Sequence, residues 1–285
     1  MSDEYVEVEG ARIRTHASGD AGDPPILLLH GIARSLEDWL PQHDLLSDAH
    51  RVISVDLPGF GLSDPLPGPI SLDRLADGVE RTVRALGEDR PMHVMGNSLG
   101  GAVAMRMLCR DPDRVRTLTL VAPAGFGREV TAALRILGVP GLGRFLLAKM
   151  DRRAAYRAER SIFRDRAMVT DERVDFALKV LARPGYAATF LATAKSLGGI
   201  RGVSPKWRAA LLEEVAKLPR PTLVVWGERD LILPAAHMEA ARRHMPAARF
   251  HVFSDTGHMP QIERPGEFAE LALNFLRAEQ RSEKA

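Results

Sequence analysis

Residues 92–108, MHVMGNSLGGAVAMRML, decide the fold. Met92 to Met95 reads as a strand, Gly96-Asn97-Ser98-Leu99-Gly100 with Gly101 as a tight turn, and Ala102 to Leu108 as an apolar helix. A serine held in such a strand-to-helix turn has a strained backbone that lifts its hydroxyl out of the sheet. Glycines flank it because side chains there would collide with the neighbouring strand and helix. The G-x-S-x-G string alone is a weak pattern; the strand before it and the helix after it make it specific.

Moving outward, Ile26 to His30 and Arg51 to Val55 are short apolar runs with the pattern of strands buried on both faces. Tyr5 to Glu9 and Arg12 to His16 predict two further strands joined at Gly10, and Arg114 to Val121 another. Ser71 is a candidate N-cap for a helix whose apolar face carries Leu72, Leu75, Val79, Val83 and Leu86. Strands alternating with helices predict an α/β fold with a mostly parallel central sheet flanked by helices. After Pro123 the pattern changes. Residues 125–205 show helical periodicity and no convincing strand, and strand character returns only at Pro221 to Trp226 and Arg249 to Phe253. A last helix is predicted over Pro265 to Gln280. The expected organisation is a core of residues 1–124 and 206–285 interrupted by a helical cap, 125–205.

A serine hydroxyl is a poor nucleophile until a base takes its proton, and histidine is the usual base near neutral pH. His258 lies in Asp255-Thr256-Gly257-His258-Met259-Pro260, directly after the last predicted strand. A carboxylate must then fix the imidazole tautomer. Asp230 lies in Trp226-Gly227-Glu228-Arg229-Asp230, after the preceding strand, and fits that turn better than Glu228. Ser98, Asp230 and His258 all fall at C-terminal ends of strands, where open parallel sheets place their active sites.

These motifs resemble the α/β-hydrolase superfamily. Gly96 to Gly101 is similar to its nucleophile elbow, Trp226 to Asp230 with Pro234 to its acid turn, and Gly257-His258 with Glu263 and Pro265 to its histidine loop. His30-Gly31 resembles its oxyanion-loop motif, and Asp56 to Asp64 the turn that follows the next strand. The resemblance implies a catalytic triad of Ser98, Asp230 and His258. It also implies an oxyanion hole made by the backbone N–H groups of Ile32 and Leu99. His30 is expected to brace its loop, and Asp56 and Asp64 to stabilise their turn.

Carboxylic ester hydrolysis through an acyl-enzyme is the first expectation, of the carboxylesterase or lipase-like kind. The alternative is a carbon–carbon bond hydrolase of the meta-cleavage-product type, whose members often carry asparagine before the serine, as Asn97 stands here. Two positions depart from that subfamily: Met259 replaces the tryptophan after the histidine, and Ala177 the cap arginine that binds a carboxylate, with Arg173 or Arg183 as candidate substitutes. A non-catalytic binding protein on the same scaffold is a third possibility.

Bulk properties bound the rest. The chain has 285 residues, 45% hydrophobic and 27% charged, with a net charge of +2, so no polyanionic partner such as a nucleic acid is required. Cys109 is the single cysteine, so no intrachain disulfide or thiolate metal cluster can form, and it is expected to pack as a small apolar residue. No metal or cofactor is expected. The polar start at Met1 carries no leader pattern and no apolar run approaches the ~20 residues of a membrane span, so the expected location is cytoplasmic. The partner expected is a small-molecule ester or related acyl substrate with an apolar part, acted on by a monomer or homodimer. Residues 125–205 carry fifteen Lys or Arg against seven Asp or Glu, a surplus of eight. Two readings follow: attraction of anionic substrates or a lipid surface, or a lid whose arginines are merely solvated.

Overall fold

Successive residues of a strand point to opposite faces of a sheet, and in the central strands both sets are apolar. In β3 (Pro25–Leu29), Ile26 and Leu28 join one buried cluster while Leu27 and Leu29 join another. Val52 against Ile53 in β4 (Arg51–Val55), and Met95 against Val94 in β5 (Met92–Asn97), divide in the same way. Such a sheet must be covered on both sides, which makes helices its obligatory neighbours. Each fully buried Val, Leu or Ile contributes about 1.5–3 kcal/mol.

The computed structural model describes residues 3–139 and 141–284. Met1, Ser2, Pro140 and Ala285 lie outside the described residues, so the N-terminal reading is placed only from Asp3 onward. The remaining strands are β1 (Glu4–Val8), β2 (Ala11–Ser18), β6 (Val115–Val121), β7 (Gly198–Gly199), β8 (Gly202–Val203), β9 (Thr222–Gly227) and β10 (Arg249–Phe253). Eight form one sheet in the order β1-β2-β4-β3-β5-β6-β9-β10, parallel except for β1 on β2 and β2 on β4. The expected α/β architecture is the one observed.

One face of the sheet is covered by α2 (Leu72–Ala85) and α3 (Leu99–Arg110), the other by α1 (Leu40–Leu46) and α12 (Pro265–Lys284). Ser71 caps α2 as its sequence position suggests, its Oγ accepting from Arg74 N at 3.1 Å. Between β6 and β9 the chain forms α4 (Ala132–Leu137), α5 (Leu142–Ala148), α6 (Arg152–Arg160), α7 (Asp171–Leu181), α8 (Tyr186–Leu197) and α9 (Pro205–Ala216). One correction falls here. β7 and β8 form a two-stranded antiparallel hairpin inside the stretch expected to hold no strand. Each is two residues long and glycine-bearing, too short to leave a periodic signal.

Downstream lie α10 (His237–His244) and the short α11 (Pro260–Glu263). Among the described residues, no helix is long and apolar enough to cross a membrane. On α1, His43 is buried between two serines: Nδ1 pairs with Ser18 Oγ and Nε2 with Ser54 Oγ, both at 2.7 Å. Among the described residues no carboxylate joins this trio, and it braces α1 against β2 and β4.

Candidate active site

Ser98 stands at the junction of β5 and α3 with φ 56° and ψ −116°. A non-glycine residue at that angle stores roughly 1–3 kcal/mol of strain, which the surrounding bonds must over-determine. They do so: Ser98 N donates to Val121 O at 2.9 Å, and Ser98 O accepts from Ala124 N at 2.9 Å and Gly101 N at 3.1 Å. A Cβ on Gly96 would strike the Gly100 carbonyl, and one on Gly100 the Leu29 carbonyl. The glycines are therefore required by the packing of α3 on β3 and β5.

Asp230 and His258 come together from the loops after β9 and β10. His258 Nδ1 lies 2.7 Å from Asp230 Oδ2, and both residues are buried. Asp230 Oδ1 accepts from Ile232 N at 2.8 Å and Leu233 N at 2.9 Å, which fixes the carboxylate plane. Glu228 is instead bound to Asp255 N, away from the imidazole. Ser98 and His258 border one cavity of about 200 Å³. Among the described residues the Ser98 hydroxyl makes no hydrogen bond to the imidazole, a contact that in ligand-free enzymes often tightens only when substrate arrives.

The N–H groups of Ile32 and Leu99 donate to no protein acceptor among the described residues, and both residues border a second branch of about 70 Å³ that also meets Ser98. The Ile32 loop is braced from behind. His30 Nδ1 bonds Gly31 O at 2.7 Å, and His30 Nε2 accepts from Leu57 N at 2.9 Å, so the ring is neutral with its proton on Nδ1. Asp56 Oδ1 accepts from Leu36 N, and its Oδ2 from Leu62 N and Arg14 Nε, each at 2.7 Å.

Burial pulls the imidazole of His30 down to about 4 and that of His43 to about 3, from an ordinary 6.5. Below pH 6.5 the unfolded chain therefore binds protons that the folded one refuses, and stability falls as pH falls. Each ring accounts for about 1.4 kcal/mol per pH unit across its window. Denaturant titrations from pH 6.5 to 4.5 should show this loss, and His43→Gln should reduce its slope. An unchanged slope would mean that His43 charges freely in the fold.

Three further residues border this cavity through contacts that the sequence does not foretell. Asn97 Nδ2 donates to Val121 O at 3.2 Å and to His258 O at 3.1 Å, tying the serine turn to the histidine loop, while its buried Oδ1 has no partner among the described residues. Arg34 and Glu159, joined by an ion pair, form part of the cavity wall. Only their contact across the fold reveals them; neither sits in a motif.

The sequence profile of the alpha/beta hydrolase fold family matches residues 24–265. The chain belongs to the α/β-hydrolase family. Among its relatives, the dihydrolipoyllysine-residue acetyltransferase component of the acetoin cleaving system of Cupriavidus necator is 33% identical over 275 residues, 96% of this chain and 68% of that protein. A 2-hydroxymuconate semialdehyde hydrolase of Pseudomonas putida is 31% identical over 277 residues, covering 95% of this chain and 93% of the other. A meta-cleavage product hydrolase from Pseudomonas fluorescens superposes with a TM-score of 0.81 at 26% identity, covering 96% of this chain and 97% of the other. As in other α/β-hydrolases, the site opens at the C-terminal edge of the parallel strands.

Proposed function

We propose that this α/β-hydrolase is a serine hydrolase acting on a small molecule. Ser98 attacks a carbonyl carbon, His258 moves the proton, Asp230 orients the imidazole, and the amides of Ile32 and Leu99 receive the oxyanion. Residues 125–205 serve as a helical cap over a core formed by 1–124 and 206–285. The observation that carries this is that His258, pinned by Asp230, borders the same cavity as a strained Ser98. Two fixed amides suit the oxyanion because they need no reorganisation as charge develops, and one such donor can be worth ~3 kcal/mol.

For the bond cleaved, we favour a carbon–carbon bond beside a carbonyl. The acyl fragment stays on Ser98 until water releases it as a carboxylic acid, and the carbon fragment leaves with a proton. The meta-cleavage and 2-hydroxymuconate semialdehyde hydrolase relatives support this, as does Asn97 with a free acceptor beside the nucleophile. Ester hydrolysis is the second reading, and the cavity wall favours it. Ala177 lines the cavity where an arginine would meet a dienoate carboxylate. Of the two substitutes, Arg173 binds Asp38 and Arg183 binds the Gly61 and Ser63 carbonyls.

Salt bridges also absorb part of the basic surplus, with Arg152 on Asp171 and Arg164 on Asp255. A coloured meta-cleavage dienoate and p-nitrophenyl esters of rising length, assayed side by side, decide between the readings. We expect the dienoate to bleach with a higher kcat/KM than any ester, and Ser98→Ala to abolish both. Ester turnover alone would select the second reading. No turnover, with no fluorophosphonate labelling of Ser98, would leave a binding protein on this scaffold.

A further inference from the structure

Glu159, on α6, is 4% exposed and borders the cavity that holds Ser98. Its Oε1 accepts a hydrogen bond from Arg34 Nη1, while its buried Oε2 has no partner among the described residues. Arg34 is held from the other side, with Nε and Nη2 donating to the two oxygens of Asp38 at 2.7 and 2.8 Å. Arg173 Nη1 donates to Asp38 at 3.2 Å. Two guanidinium groups and two carboxylates thus balance in formal charge, and one carboxylate oxygen is left over. Ala33, Arg34, Glu159 and Ala177 border both this cavity and a second, of about 270 Å³, between the Ile32 loop and α7.

We propose that Glu159 Oε2 is a recognition site for a neutral hydrogen-bond donor, an alcohol hydroxyl on the part of the substrate remote from the scissile carbonyl. The chemistry of the wall selects that group. An anion would face a carboxylate whose neighbouring cations are already matched. A cation would lie beside Arg34 and Arg173. A plain alkyl end would leave a buried carboxylate oxygen without a donor, which is unfavourable. A hydroxyl supplies the missing donor and adds no charge, while the alkyl chain behind it packs on Leu137, Leu147 and Leu181 of the same cavity.

This specificity rests on the proposal that the Ser98 cavity takes the substrate. It is tested by binding, so that turnover does not enter. On the full-length Ser98→Ala protein, calorimetry gives Kd for linear carboxamides of six to ten carbons and for their ω-hydroxy counterparts. We expect the ω-hydroxy amide to bind at least ~10-fold tighter at one or two chain lengths. In Glu159→Gln, with the amide oxygen kept on Arg34, an N–H₂ donor takes the place of Oε2, so the preference should pass to ω-keto amides, which only accept.

Equal binding of plain and ω-hydroxy amides at every length would overturn the proposal, as would a hydroxyl preference that survives Glu159→Gln or no binding of either series. If Glu159→Gln does not fold, ω-methoxy amides decide it: as acceptors only, they must bind no tighter than the plain ones. A hydroxyl preference in a protein whose wild type is inert would sink the hydrolase reading alone. An active enzyme without the preference would sink this inference alone.

Discussion

Asp230→Asn is expected to lower kcat by about four orders of magnitude while leaving the fold intact. The reason lies in which oxygen is committed to what. Oδ1 is fixed by the N–H groups of Ile232 and Leu233. An asparagine must keep its oxygen there, so its N–H₂ turns to His258 Nδ1, where Asp230 Oδ2 now accepts at 2.7 Å. The imidazole would then need its proton on Nε2, the nitrogen that must be free to take the Ser98 proton. Stopped-flow turnover and ¹⁵N spectra of the ring check the two halves of the claim. A variant within tenfold of wild type would remove Asp230 from the triad.

Gly100→Ala is expected to cost about 3 kcal/mol, the upper range for forcing a methyl group into a packed site, and to lower Tm by roughly 5 °C. Its Cβ would meet the Leu29 carbonyl and lie 2.7 Å from the His30 carbonyl oxygen. Neither can give way, because Leu29 is in register with Val55 on one side and Gly96 on the other. Gly266→Ala, with nothing within 4 Å of its added carbon, is the neutral control. Equal Tm values for the two variants would show that α3 shifts freely on the sheet.

What the sequence made legible, and what it hid, follows from distance along the chain. The serine turn, the acid turn and the histidine loop are local patterns, in which a few adjacent residues dictate strand, turn and helix. Their order along the chain therefore points to one edge of the sheet. Asn97 is visible as a letter beside Ser98, yet its hydrogen bond to the His258 carbonyl spans 161 positions and no local rule foretells it. Arg34 and Glu159 are 125 positions apart, one in a loop and one on an amphipathic helix where a solvated glutamate is the ordinary expectation. The β7–β8 hairpin is hidden for another reason: two-residue strands carry no period.

His258 N donates to Ile162 O at 2.8 Å, and Glu263 bridges Gly257 N to the N–H groups of Arg164 and Asp165 at 2.7 to 2.9 Å. His258, the proposed general base, is thus stitched to residues 162–165 through main-chain groups of that segment, directly at Ile162 and by way of the Glu263 carboxylate at Arg164 and Asp165. A chimera that imports the β6–β9 segment from a relative will keep its base in place only if the imported chain offers a carbonyl and two amides at that spot. On the proposed assignment, the segment that would choose the substrate also holds the base that would act on it, and grafting one carries the other with it.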